Sequence, residues 1–459
     1  MYAKLTERYV LRGWKSIPYA LIDTKTADIK FLTHEAYMLF DCLDGETNLD
    51  VVLMTPMQRE LLARLLEEGT VERHEKPIPL LPYQRYKKSG GAYVKSLHWS
   101  ITGMCHLKCR HCYMGAPGRR YSDMSTEECL TVIRQMQDAN ISEVSVTGGE
   151  PLLRKDFWRL IDAFTEAHIH LSQLYTNGLL IDSAFLENMR RRGLSFAFVL
   201  SFDCAGCHDW MRGISGTEEK TVAIINRLCA EGHIVSVETA LHSGNINQLL
   251  PTYELLKKIG VHFWKTSLTY ESGEWRKNKV SQLALEDLYT NYFLLCKKYL
   301  ADGQPFNIQL DGFFAGRKGG GGEIPYVRSN ATPEGLKSHS CLSCRTHPYL
   351  LPDGRLIPCP SMTDTFLERD MPNMLSTTIA EVYGDFDGKF FRLANIRAED
   401  VVYGNQCASC EYRFECGGGC RACAIFSGNG EMGYDKTVCR YFKEGYRDRV
   451  GELIAAAEY

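Results

Sequence analysis

Three thiols in a tight array, Cys105, Cys109 and Cys112, pose the first chemical question. At C-x3-C-x2-C spacing they can hold three irons of a [4Fe–4S] cube and leave the fourth iron without a protein ligand, open to a cofactor or substrate. Zinc is the alternative and asks for a fourth donor, which His106 or His111 could supply. A second field lies downstream: Cys341, Cys344 and Cys359, then Cys407, Cys410, Cys416 and Cys420, then Cys439. Pairs at C-x2-C suit zinc as well as iron, so spacing alone leaves the metal open there. The 18 cysteines do not read as a disulfide scaffold, because such scaffolds are short and exported. This chain has 459 residues, no apolar run at its N-terminus and no 18-residue apolar stretch, which predicts a soluble, cytoplasmic protein without a membrane contact.

The elements that must position these thiols alternate from Leu97 onward. LHWSITG, SEVSVTG, HLSQLYT, FAFVLSF, IVSVETAL and VHFWKTSL read as six strands with helices between them. Ser125 and Glu128 form a capping box for one helix, and Gly232 closes another. Such βα units build a parallel sheet, either open or an incomplete barrel, with chemistry at the C-terminal ends of the strands. Cys105 follows the first strand, and Gly148, Gly149 and Glu150 follow the second. Thr176-Asn177-Gly178 ends the third and Ser201-Phe202-Asp203 the fourth. The glycine run 319–322 is no phosphate loop, since Lys318 precedes it and no GK[ST] follows.

The cysteine array followed by GGEP (148–151), TNG, SFD and then HDWMRG resembles the radical S-adenosylmethionine (SAM) superfamily. The resemblance implies that Gly148 and Gly149 let the backbone approach the methionine amino group, with Glu150 as polar neighbour. It places Ser201 and Arg212 at the SAM carboxylate, and Asn177 and Asp203 among the same cofactor contacts. It also implies reductive cleavage of SAM to a 5′-deoxyadenosyl radical that takes a hydrogen atom from an unactivated C–H bond. The downstream field resembles the SPASM pattern of peptide- and protein-modifying members. By that family's scheme Cys341, Cys344, Cys359 and Cys420 hold a first auxiliary [4Fe–4S] cluster, and Cys407, Cys410, Cys416 and Cys439 a second, making three clusters in all. Cys341 departs from the expected spacing by its closeness to Cys344; without it the first cluster has an open iron. Cys42, Cys129, Cys229 and Cys296 read as core, Cys204 and Cys207 as packing near the SAM pocket, and Cys423 as a bystander to Cys420. Cys204 stands where relatives often carry glycine.

Strands followed by helices in residues 1–75 resemble the winged-helix-like (PqqD-like) recognition element of enzymes acting on ribosomally made, post-translationally modified peptides. That resemblance implies leader-peptide binding by β-augmentation. Nine Lys and Arg against thirteen Asp and Glu there, a local charge of −4 within a whole-chain charge of −3, count against DNA as ligand and leave a plain packing domain as the rival to leader binding. The expected organisation is this element at 1–75, a linker at 76–93, a partial (β/α)6 barrel at 94–303, a connector at 304–340 and the SPASM domain at 341–459. The expected activity is an intramolecular cross-link in a precursor peptide bound through its leader, a thioether before a carbon–carbon bond. The electron would come from a flavodoxin- or ferredoxin-type reductant. A sulfatase-maturating type is disfavoured because its catalytic Asp after the cysteine matching Cys359 is Pro360 here. A non-catalytic iron–sulfur or zinc protein gives no reason for GGEP beside an incomplete triad.

Overall fold

The computed structural model describes residues 1–278 and 283–457. The first strands are β1 (Tyr2–Leu5), β2 (Tyr9–Gly13), β3 (Ala20–Asp23) and β4 (Ile29–Phe31). Helices α1 (His34–Cys42) and α2 (Pro56–Glu67) follow, then β5 (Val71–His74) and β6 (Lys87–Lys88). Thr55 caps α2 in a capping box with Gln58, and Pro56 opens the helix where a missing N–H costs nothing. Leu39, Phe40, Leu62 and Leu65 pack on Leu5, Leu11 and Leu21 to form a small separate core.

The segment 76–93, read as a linker from its Pro, Gly and Lys content, is bound into this unit. β6 pairs parallel with β2, and the Arg12 guanidinium donates to the Tyr83 and Arg85 carbonyls. Such bonds come from backbone and leave no trace in composition. The unit is docked rather than tethered. Trp14 is fully buried with Nε1 2.9 Å from the Ala139 carbonyl, and Asn140 donates to the carbonyls of Gly13 and Lys87.

The main sheet contains β7 (Ser96–Ser100), β8 (Glu143–Thr147), β9 (His170–Thr176), β10 (Ala197–Ser201), β11 (Val235–Leu241) and β12 (Phe263–Leu268). These six anticipated strands are parallel neighbours in unbroken sequence order. A doubly wound sheet reverses its order at a switch point; sequential order without reversal is the order of a barrel wall, here left open. Trp99, Phe164, Phe198, Trp264 and Tyr292 fill the core with no more than 1% exposure.

Two departures from the sequence reading extend the sheet. β13 (Asn307–Leu310) lies in the stretch read as an irregular connector and continues the wall parallel to β12, followed by antiparallel β14 (Phe314–Gly316) and β15 (Gly322–Glu323). Only Ile308 and Leu310 carry its apolar signal, too few for periodicity to register. On the other rim β16 (Tyr349–Leu350) pairs parallel with β7 and antiparallel with β17 (Leu356–Ile357), so the cysteine-rich segment is stitched to the first strand of the core. Beyond it most helices are short, among them Arg413–Cys416, Arg421–Phe426 and Lys436–Lys443, before the longer Tyr446–Ala457. No helix among the described residues is long and apolar enough to cross a membrane.

Candidate functional site

A cavity of about 430 Å³ opens at the C-terminal ends of β7 to β12. Cys105, Cys109 and Cys112 line it, together with Gly148, Gly149, Asn177, Ser201, Asp203 and Arg212. Nine of the sequence-selected residues thus meet in one place, brought there from five separate segments.

Glycine placement explains how the cysteine loop is held. A Cβ on Gly149 would sit 2.2 Å from the Met104 carbonyl oxygen, and one on Gly148 2.7 Å from that of Thr102. With side chains absent, Gly149 N–H donates to Thr102 O at 2.8 Å and Glu150 N–H to Met104 O at 2.7 Å. The paired glycines therefore admit the backbone that leads into the cysteine loop, a use beyond the cofactor approach they were read for. Gly213 (φ +71°) meets Lys108 and Gly273 (φ +53°) meets Cys112 in the same manner, at 2.6 and 2.2 Å for the added Cβ. The loop is clamped from three sides.

Glu150 does not line the cavity. Its carboxylate accepts from Thr176 Oγ1 (2.8 Å) and from the backbone N–H groups of Asn177 (2.9 Å) and Leu152 (3.1 Å). Complete burial pushes its carboxyl up to about 7 even so. The residue ties the end of β8 to the end of β9, which aims Asn177. The Asn177 side-chain nitrogen is buried with no partner among the described residues, a donor that a bound ligand could satisfy.

Arg212 and Asp203 form a buried ion pair at 2.7 Å, and Arg212 also donates to Cys109 Sγ at 3.6 Å. Burial raises the Asp203 carboxyl, but Arg212 and the neighbouring imidazoles outweigh it and hold it below its usual range. Ser201 faces the cavity beside them. Cys204 adopts φ +74°, a left-handed backbone that favours glycine, and is fully buried.

Burial pushes the Cys105 thiol up to about 12 and the Cys112 thiol up to about 11. Thiols so placed ionise only beside a compensating positive charge, which a bound metal supplies. Among the described residues no three His, Cys, Asp or Glu side chains converge on one ion-sized point. The donor set, the clamped loop and the unpartnered Asn177 amide therefore fit a group of several atoms together with a ligand.

All 18 cysteines are free thiols. Cys344 lies between Cys341 and Cys359 and shares its hydrogen with both, drawing the two outer thiols down and its own up. The close spacing of Cys341 and Cys344 is thus sterically usable. Pro360, Ser361 and Thr363, just after Cys359, line the central cavity. Cys410 and Cys439 bear electrostatically on the Cys407 thiol, Cys407 and Cys439 on that of Cys416, and Cys410 on that of Cys439, which puts the four within electrostatic reach of one another. Cys420 is exposed and contacts Cys423, whose sulfur lies 2.9 Å from the Tyr270 hydroxyl on the cavity wall.

Sequence reasoning missed His98, Tyr113, Tyr175, Glu238, Lys265 and Tyr270, all of which line the cavity. Each sits within a strand or loop whose pattern reported only burial; the alternation of β11, with Glu238 inside an apolar run, was the one available signal.

Residues 99–256 match the family model described as the Radical SAM superfamily. That family implies SAM and a [4Fe–4S] cluster. The chain is 24% identical over 361 residues to the AdoMet-dependent heme synthase of Nitratidesulfovibrio vulgaris, covering 78% of this chain and 95% of that protein. It is also 24% identical over 365 residues to the PqqA peptide cyclase of Gluconobacter oxydans, covering 78% and 93%. Among solved structures, SuiB of Streptococcus suis bound to its precursor peptide SuiA has the same fold at TM-score 0.66 and 15% identity, covering 95% of this chain and 100% of that one.

Proposed function

We propose that this chain, an enzyme carrying a radical SAM domain, matures a ribosomally made peptide by installing an intramolecular cross-link. A thioether from a cysteine sulfur to carbon is the favoured bond and carbon–carbon coupling the close alternative. The observation that carries the reading is the N-terminal sheet. β4 stands at its rim, no strand among the described residues pairs with its outer side, and Phe31 is 54% exposed there. An extended leader segment adds to such an edge through main-chain hydrogen bonds. Relatives named as a peptide cyclase and as a precursor-bound enzyme support the same substrate class.

In this reading Cys105, Cys109 and Cys112 hold one [4Fe–4S] cluster. Cys341, Cys344, Cys359 and Cys420 hold a second, and Cys407, Cys410, Cys416 and Cys439 a third. With SAM bound, the first cluster supplies a 5′-deoxyadenosyl radical able to take hydrogen from an unactivated C–H bond. The protein's part is positional. Asn177 would offer its amide N–H to SAM, and Ser201 and Arg212 would meet the carboxylate, with Asp203 ion-paired beside the guanidinium. Glu150 acts one step back by fixing the turn that carries Asn177. A flavodoxin- or ferredoxin-type protein serves as reductant.

The test is anaerobic incubation of the iron-reconstituted enzyme with SAM, dithionite and a synthetic peptide encoded by the reading frame beside this chain. The expected result is 5′-deoxyadenosine together with a peptide lighter by two hydrogens. The heme synthase relatives favour a second reading, a porphyrin substrate. Tight binding of iron coproporphyrin, seen as a shifted Soret band, with the peptide left unchanged, would select it.

A further inference from the structure

Forming either cross-link leaves a proton to be placed. Hydrogen-atom abstraction gives a carbon radical; coupling it to an X–H group of the same peptide forms C–X, breaks X–H, and releases one proton and one electron. The electron requires an iron–sulfur acceptor, and the proton requires a base at the cavity.

Among the described residues lining the cavity, two carboxylates are present, Asp203 and Glu238. Asp203 is fully buried and committed to Arg212. Of the two cavity imidazoles, burial holds His98 at about 3, a poor proton acceptor at neutral pH, and His111 sits on the cysteine loop between Cys109 and Cys112. Pro360, which follows Cys359 on the cavity wall, has no group to offer.

Glu238 differs from all of these. On β11 it pairs in register with Ser201 of β10 on one side and Lys265 of β12 on the other, so the three residues stand abreast on one course of the wall. Its carboxylate lies 3.3 Å from Lys265 Nζ, while the side chains keep 35% and 37% of their surface open. Both residues line the cavity. Lys265 thus holds the carboxylate in place without saturating its lone pairs. The negative charge also reaches the buried phenols of Tyr113 and Tyr175, two further wall residues.

We infer that Glu238 is the proton acceptor for the cross-linking step, with Lys265 as its positioning residue. The inference rests on the peptide-maturase reading and adds to it the catalytic base. The X–H group of the substrate gives its proton to the Glu238 carboxylate as C–X forms, and the electron leaves to an iron–sulfur cluster of the C-terminal unit.

The test compares wild type with Glu238→Gln and Glu238→Asp, using the neighbouring-frame peptide, SAM and dithionite. Cross-linked peptide and 5′-deoxyadenosine are quantified in the same reaction. For Glu238→Gln the ratio of cross-link to 5′-deoxyadenosine is expected to fall about 100-fold, the loss typical of a removed general base. Glu238→Asp, which keeps the carboxylate, restores part of the ratio. Iron content and circular dichroism matching wild type exclude misfolding as the cause; if Glu238→Gln fails that check, the folded Asp variant decides against wild type, and a ratio about 100-fold down despite the retained carboxylate overturns the inference. An unchanged ratio, or a parallel loss of both products, also overturns it, the latter placing Glu238 at SAM. Absence of cross-link with wild type overturns the maturase reading itself, and this inference with it.

Discussion

Cys105, Cys109 and Cys112 hang from a wall of strands whose apolar side chains make up most of the main core, with Trp99 and Trp264 fully buried in it. Cys407, Cys410, Cys416 and Cys439 sit instead on turns and helices of four to eight residues, beside a satellite core of Leu336, Ala398 and Val402. On the proposed ligation, the fold of the first region would stand before the metal and present its ligands to it. In the second, the short turns bearing Cys407, Cys410 and Cys416 bury little of their own, while Val438, Tyr441 and Phe442 beside Cys439 pack into the main core; on the proposed ligation, metal would supply the folding free energy of those turns. One protein thus uses thiols in two ways, and the regions should respond oppositely to loss of iron.

The largest expected effect breaks the first half of that contrast. Replacing Cys105, Cys109 and Cys112 with Ala abolishes 5′-deoxyadenosine formation, while iron counted on the purified protein drops only by the share of one cluster. Next is removal of iron from the whole protein. Limited proteolysis after anaerobic chelation should cut within 405–440 and leave the strands between residues 96 and 268 intact. Equal resistance in both regions would show that the C-terminal unit folds unaided.

Gly149→Ala sharpens the account of the loop. Its methyl would meet Met104 backbone at 2.2 Å, so the loop or the strand end must move, at a cost of about 3 kcal/mol in thermal or denaturant unfolding. Glu150→Gln probes the same junction by pH. A carboxyl held at about 7 in the fold, against an ordinary 4.5, keeps its proton preferentially when folded. Its contribution is complete below about 4.5 and lost as pH rises through 7, worth about 3 kcal/mol, and the Gln variant should flatten that part of the stability profile. The smallest effect belongs to the N-terminal edge. Phe31→Asp should weaken binding of the fluorescent-labelled leader about tenfold by anisotropy, roughly 1.4 kcal/mol.

The sequence made the core legible because long alternating elements and punctuating motifs repeat there. The six strands, the Ser125 capping box and the motif-bearing strand ends lie where periodicity put them. What it did not disclose were relations between distant backbones. The use of Gly148 and Gly149 depends on the carbonyls of Thr102 and Met104, and β16 joins β7 across some 250 residues. β13 was hidden by its brevity and by the glycine run that follows. Glu238 and Lys265 were hidden for another reason. A single charged residue within an apolar strand signals an unusual face, yet only the strand register reveals that Ser201 stands beside it.

The central claim is that the three cavity thiols bind an iron–sulfur cluster with one iron open to SAM. Electron paramagnetic resonance of the anaerobically reduced variant with Cys344, Cys359, Cys407 and Cys439 all replaced by Ala, in which each auxiliary site loses two ligands, tests it most directly. The account predicts a cubane signal whose g-values shift when SAM is added. A spectrum indifferent to SAM, or a protein that carries zinc at these thiols, would contradict it.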